Sequence, residues 1–342
     1  MHILAVGGGM LVRALRRLGH SVLYVAPFGT PDIVCDHPLY SHVLLRYVNE
    51  KGFRPDVLFY TDDGNFPFLL NPQILPFPSV FYSIDTYCNP WHVPYAFGFD
   101  YVLAAQKDFV SLFTKEGYKA SWLPLFCQEE VLLQEETKRD VPVCFVGTLG
   151  HKNNPDRLPF IEAFRQKQPL VVHQGDYVPL FSRSQIVLNQ TAFSEVNFRC
   201  FEAMALGAAL LMERCQNGMD ELFAPDERLP LYTRGNANEA AEIAKTYLAD
   251  PLRLASIAKK GLACVAKRHT DTCRATFLSS LFSELLENGC QKGRLTHEQA
   301  KREAIVNGAF GVLAADLLNS PMASYADFFA SMARGKALKK RQ

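Results

Sequence analysis

The sequence lacks the features that would place it in a simple class. Its nine cysteines (35, 88, 127, 144, 200, 215, 264, 273 and 290) are odd in number, scattered and free of any C-x-x-C pair, which argues against a disulfide framework or a zinc knuckle and for reduced thiols. No apolar run reaches the roughly 18–20 residues that span a bilayer. The opening Met1–Val6 passes into glycines and arginines with no basic-then-apolar leader, so a cytoplasmic location is expected. Charge is nearly balanced, with 36 Lys and Arg against 35 Asp and Glu, and such a chain has no field strong enough to gather nucleic acid. Only the ending Lys336–Arg341 is basic, a short tail suited at most to weak peripheral membrane contact. No low-complexity segment and no repeat of 20–50 residues is present.

What is there is a globular chain. At 342 residues, with 48% hydrophobic and 21% charged residues, it exceeds one ordinary core, and two domains are expected. Short apolar runs alternate with segments of helical spacing. Strands are expected at 3–6, 21–26, 56–61, 79–84 and 101–105, with helices at 40–50 and 109–116. The polar stretch Gln128–Asp140 interrupts this plan, and it resumes with strands at 141–146, 170–173, 186–189, 208–212 and 229–232 and helices near 156–167 and 198–206. Such alternation implies parallel strands joined by crossovers, hence two successive Rossmann-like halves. The domains expected are 1–135, 136–287 and a set of C-terminal helices, 288–342. Ala304, Ile305, Ala309, Val312, Leu313 and Leu317, with Tyr325, Phe328 and Phe329, carry too much apolar surface to stay in water, so these helices are expected to return to the first domain.

Two segments bear on chemistry. Gly7, Gly8 and Gly9 free the backbone for a tight turn at the end of the first strand, where open α/β sheets place ligands. The G-x-G-x-x-G pattern is incomplete, and no acid closes the second strand (Tyr24-Val25-Ala26-Pro27), which disfavours a nicotinamide cofactor. The second segment runs Leu188-Asn189-Gln190-Thr191-Ala192-Phe193-Ser194-Glu195-Val196-Asn197-Phe198-Arg199-Cys200-Phe201-Glu202 and on to Gly207. A polar loop there leads from a strand into a helix beginning near Asn197, whose free N–H groups and positive dipole end suit a diphosphate. Arg199 lies in the first turn. Glu202, one turn on, suits the two hydroxyls of a ribose. The same spacing also fits a plain surface i,i+3 ion pair between Arg199 and Glu202.

This segment resembles the donor-binding signature of GT-B glycosyltransferases, and specifically that of the bacterial spore-maturation CgeB-like family, with Leu188-Asn189 followed by N-x-R-x-F-E-A-x-A-x-G at Asn197–Gly207. Phe145-Val146-Gly147-Thr148, Tyr177–Ser184 and His269-Thr270 with Arg274 resemble further parts of that family's C-terminal domain, and Ser83-Ile84-Asp85 and Phe99–Val102 parts of its N-terminal one. The resemblance implies two Rossmann-like domains facing across a cleft. It also implies a nucleoside-diphosphate sugar as donor, no cofactor and no metal, in keeping with the lack of a D-x-D motif in a donor-like context. Glu202 resembles the second glutamate of the retaining enzymes' E-x7-E pattern, which holds the ribose. The first would fall at Ser194, and Glu195 stands one position late. Val196, Asn197 and Phe198 would then offer N–H groups to the diphosphate, as would Gly147 and Thr148, with Lys152 and Arg157 balancing the leaving charge. Asn189 is carried over with the same motif.

Acceptor-side candidates follow strand ends in the first half: Asp62-Asp63-Gly64-Asn65, which also reads as a turn, Asp85-Thr86, and His92. A carboxylate or imidazole there would orient or deprotonate an attacking hydroxyl. His173 is a candidate for the nucleobase pocket or a structural histidine. The expectation is retaining, metal-independent glycosyl transfer to a hydroxyl-bearing glycan, protein or small-molecule acceptor. The alternatives are a sugar-nucleotide epimerase or hydrolase on the same fold, and a non-catalytic binding protein.

Overall fold

The computed structural model describes residues 1–133, 137–150, 153–296 and 299–335. Lys152 and the basic tail therefore lie outside the described residues. The chain forms two compact units, Met1–Leu123 with Ala275–Gln342, and Pro124–Arg274. The later boundary falls within the helix Asp271–Asn288.

The first unit is built on seven parallel strands: β1 (His2–Gly7), β2 (Ser21–Ala26), β3 (Ile33–Val34), β4 (Val57–Thr61), β5 (Ser79–Ser83), β6 (Tyr101–Ala104) and β7 (Ala120–Trp122). They lie in the order β3-β2-β1-β4-β5-β6-β7. β4 and β5 are buried at every position, as strands covered on both faces must be. The order reverses between β1 and β4, which makes their carboxyl ends the switch point of the sheet. Gly7 turns the chain there with φ 86°, and a side chain at this position would collide with the Thr61 carbonyl. Edge strands β3 and β7 are additions to the sequence reading; at two and three residues they are too short to show a periodicity.

The C-terminal helices complete this unit's core. Helix Gln299–Leu317 buries Val306, Ala309, Phe310, Leu313, Ala314 and Leu317, a stripe at i, i+3, i+4 and i+7 spacing. These residues share a core with Leu4, Leu58, Tyr60, Phe81 and Tyr95. Arg294, buried, fastens the helix Gln291–Thr296 to the loop after β4. Its Nε donates to Asp100 Oδ1 at 2.9 Å, and its two terminal nitrogens donate to the carbonyls of Pro72, Gln73, Leu75 and Phe77 at 2.7–3.3 Å.

The second unit has four parallel strands, β8 (Val141–Val146), β9 (Val171–His173), β10 (Ser184–Asn189) and β11 (Ala209–Met212), in the order β11-β10-β8-β9. Its switch point lies between β8 and β10. Helices Arg157–Arg165 and Ala237–Leu248 cover one face through Phe160, Phe164, Ala240, Ala241 and Ala244. Leu229–Tyr232, expected as a strand, forms the isolated bridge Glu213↔Tyr232, with the N–H groups of Leu229 and Tyr232 donating to the Leu210 and Met212 carbonyls of β11. The pairing slips by one residue between Leu229 and Tyr232, which bond Leu210 and Met212, so no regular ladder forms. All nine cysteines are free thiols.

Replacing Arg294 by alanine leaves Asp100 as a buried charge without its partner, and is expected to cost about 3–5 kcal/mol. Urea unfolding of the full chain checks this, and an unchanged midpoint contradicts it.

Candidate functional site

The second unit's switch point gathers most of the donor-side residues. Helix Phe198–Ala205 starts after Asn197, and no side chain caps it. The Asn197 side chain, which a helix start would ordinarily use as its cap, is instead paired with the Asn189 amide, whose Nδ2 donates to Asn197 Oδ1 at 2.9 Å. The helix start therefore keeps amide donors for an anion. Asn189 is buried at the end of β10 and also accepts from Arg199 Nη1 at 2.7 Å.

Arg199 does not extend as a free first-turn cation. Its Nε donates to the Val146 carbonyl at 2.9 Å, and its guanidinium lies 4.7 Å from the Phe145 ring centroid. Burial lowers its pKa to about 10, with the neighbouring Arg157 acting the same way, so it stays charged at neutral pH. Gly147 completes the contact: its φ is 155°, and a Cβ there would sit 2.5 Å from Arg199 Nη2. The glycine is required because the guanidinium occupies the space of a side chain. Gly147 N–H in turn donates to the His173 carbonyl at 3.0 Å, so β9 ends beside this turn with the His173 side chain exposed.

Arg157 braces the same edge. It donates through Nη1 to the Thr148 carbonyl at 2.8 Å and through Nη2 to the Gln190 carbonyl at 3.2 Å. Thr148 itself is exposed.

The loop 191–197 explains the departure at Ser194. Ser194 adopts φ 58°, in the left-handed region, and its Oγ accepts from Arg234 Nη1 at 2.6 Å. Glu195 is buried, and its carboxylate accepts the loop's own N–H groups from Phe193 at 2.6 Å and Ala192 at 3.3 Å. It is a brace for the loop. Val196 is buried as well. Glu213, not singled out from the sequence, follows β11 and is fully buried, and its Oε1 accepts from the Thr191 N–H at 2.9 Å and from the Thr191 hydroxyl. An acid directly after the apolar run Ala209–Met212 was the available signal.

Glu202, one turn into the helix, is partly buried. Burial raises its carboxyl to about 7 from an ordinary 4.5, against the opposing pull of a Tyr177 hydrogen bond and the Arg199 charge.

In the first unit, the acceptor-side candidates also meet at a switch point. Asp62 is buried, and accepts from Gly64 N–H through Oδ1 and from Asp85 N–H through Oδ2, both at 2.9 Å. Asp63 accepts from Asn65 N–H. The segment is therefore a turn that also ties the ends of β4 and β5 together. Gly8 N–H donates to Thr61 O at 2.9 Å, placing the glycine turn beside it. Asp85 is half-buried and accepts from Tyr87 Oη at 2.7 Å. His92 is wholly buried. Its Nδ1 bonds Ser83 Oγ at 2.8 Å, its Nε2 lies 3.8 Å from Asp62 Oδ2, and burial lowers its pKa to about 3. It is a neutral imidazole beneath the carboxylates, without a surface of its own.

Residues 130–280 match the family model described as glycosyl transferase-like. No curated protein matches the chain. Among solved structures, the chain is similar to a sucrose-phosphate synthase from Thermosynechococcus elongatus (12% identity, TM-score 0.62, 84% of this chain and 100% of that one). It is equally similar to Anabaena HepE in complex with UDP and glucose (14% identity, TM-score 0.62, 83% and 100%). The fold is GT-B. A glycosyltransferase from Rickettsia africae is a further neighbour, at 12% identity and TM-score 0.59, with 84% and 99% covered. Among the described residues, no helix is long and apolar enough to cross a membrane.

The raised Glu202 carboxyl has a stability signature. The folded chain holds a proton that the unfolded chain has already released above 4.5, so stability falls as pH rises from about 4.5 through about 7. Glu202→Gln is expected to remove that part of the fall. Urea unfolding of both proteins across this range checks it, and parallel curves contradict it.

Proposed function

We propose that the chain is a nucleotide-sugar-dependent glycosyltransferase, retaining and metal-independent, whose donor binds the second unit. The observation that carries the reading is the uncapped start of helix Phe198–Ala205 at the β8–β10 switch point, with Glu202 one turn further along the same helix. Amides at Phe198 and Arg199 and the close backbone approach at Gly147 take the diphosphate, and the Thr148 hydroxyl supports it. Arg199 and Arg157 supply positive charge that offsets the leaving group. Glu202 accepts both ribose hydroxyls, and the exposed His173 borders the base. Kinship with the CgeB-like family is proposed on Asn197–Gly207. The known UDP complex of HepE, which has the same fold, supports a nucleotide as ligand.

In the transfer, the acceptor oxygen bonds to the anomeric carbon as the bond from that carbon to the diphosphate breaks. The acceptor proton passes to the departing diphosphate oxygen, and no strong enzymic base is needed. Asp85 is assigned to orienting the acceptor. His92 touches no substrate, and acts as a positioning residue through Asp62.

Donor hydroxyls bound to Glu202 favour its ionised form, so a nucleotide should expel its proton. Glu202→Ala is expected to weaken UDP binding by roughly 10- to 150-fold, the loss of a charged hydrogen-bonding partner of about 1.5–3 kcal/mol. Calorimetry on the folded variant checks this, and unchanged affinity contradicts it. A thermal-shift screen with UDP-, GDP- and dTDP-sugars selects the donor for a transfer assay. Transfer should persist in excess EDTA; activity lost to the chelator and restored by magnesium or manganese contradicts metal independence.

A further inference from the structure

A groove of about 800 Å³ opens on the second unit at Gly207, past the end of helix Phe198–Ala205 that lies opposite its uncapped start. That volume falls within the roughly 300–1,000 Å³ of small-molecule sites. Much of its wall is helical. Leu254, Ala258 and Leu262 stand four residues apart on helix Pro251–Arg268, and Leu248 ends helix Ala237–Leu248 beside them. Leu248, Ala258 and Leu262 are only half-buried and Ala255 is exposed, so an apolar strip lines the groove without being covered by the protein itself.

The groove also carries charge of one sign. Arg139 and Lys259 line it, and among the described residues no aspartate or glutamate does. Arg139 is half-buried. Its Nη1 donates to the carbonyls of Ser184 at 2.6 Å and Phe181 at 3.4 Å, and its Nη2 to that of Leu206 at 2.8 Å. These acceptors are neutral, and burial lowers its pKa with no carboxylate acting on it among the described residues. Its charge is therefore unmatched in a place where an unmatched charge costs free energy. The Nε–H has no acceptor among the described residues, yet it is not one of the buried unpaired atoms, so it is open to solvent. Gly207 makes room for this guanidinium: its φ is 72°, and a Cβ there would collide with Arg139 Nη2.

We propose that this groove binds a free fatty acid, with the acyl chain along Leu248, Leu254, Ala258 and Leu262 and the carboxylate on Arg139, where Lys259 adds charge from the rim. A carboxylate supplies the missing countercharge and accepts from the Nε–H. An acyl chain covers the apolar strip and brings no polar group that needs a partner. A peptide would instead bring backbone N–H and C=O groups against a wall that offers few partners for them. The binding does not rest on the donor reading, because the groove lies at the far end of helix Phe198–Ala205 from the proposed diphosphate site.

Calorimetric titration of the full chain with decanoate, 1-decanol and decyltrimethylammonium tests it, since the three share a chain and differ in the charge of the head group. Decanoate is expected to bind one to one and about tenfold or more tighter than the other two, and this preference is expected to vanish in Arg139→Gln. Ala255→Trp, which fills the groove from an exposed position, is expected to abolish decanoate binding, and it keeps the test decisive if Arg139→Gln fails to fold. No binding of decanoate, equal binding of decanoate and decanol, a preference that survives in folded Arg139→Gln, or undiminished binding in folded Ala255→Trp overturns the inference. So does adhesion to phosphatidylglycerol vesicles, or a stable dimer, by a chain that takes up no decanoate, which would mark a membrane or a second copy as the occupant. UDP titrated in a separate sample reports on the donor reading, so either can fail alone.

Discussion

The guanidinium of Arg199 is the contact on which the second unit's site depends. It joins three elements at one point: the carbonyl that ends β8, the Asn189 amide that ends β10, and the first turn of the helix Phe198–Ala205. Because the charge is spent on these bonds in a partly desolvated place, it fixes the geometry of the helix start. Nε and Nη1 carry these bonds, while Nη2 lies against Gly147. Gly147 follows from the same contact, since the space of its missing side chain is the space the guanidinium fills.

Asn189 has the complementary part. Its amide accepts from Arg199 and draws the Asn197 side chain away from capping duty, so the helix dipole and its amides stay available. Beneath it, Tyr232 Oη donates to the Asn189 carbonyl at 2.7 Å, which explains why a tyrosine outside any strand is wholly buried. Around it, Glu195, Glu213 and Arg234 hold the loop 191–195 through its backbone and the Ser194 hydroxyl. The two glutamates of this loop region act on the protein's own N–H groups, and Glu202 is left as the acid beside the helix start.

Much of this architecture was legible in the sequence. Strands such as Val57–Thr61 and Ser79–Ser83 are continuous apolar runs because both faces are covered, and of the apolar positions read in Gln299–Leu317, Ala309, Leu313 and Leu317 are buried, whereas Ala304 and Val312 are exposed and Val306, Phe310 and Ala314 fill the core instead. What escaped has physical causes. β3 and β7 owe their pairing to a neighbouring edge rather than to any local pattern. Leu229–Tyr232 is apolar for burial's sake, while its pairing with β11 slips by one residue and leaves only a bridge. Spacing put Arg199 and Glu202 on one helix, but could not tell that Arg199 turns onto β8. Nor could it tell that Glu195 folds back on its own loop, or that His92 lies under Asp62 rather than at the surface. Those outcomes depend on which strand ends become neighbours, a property of the sheet order.

The amides at the start of helix Phe198–Ala205 are the groups proposed to receive a diphosphate. Amide chemical shifts followed by NMR during titration with UDP, and with UMP as the comparison, test it most directly. UDP is expected to move the Phe198 and Arg199 amides more than UMP does, since only UDP carries the second phosphate. Shifts confined to other residues, or the same response to both nucleotides at these amides, would contradict it.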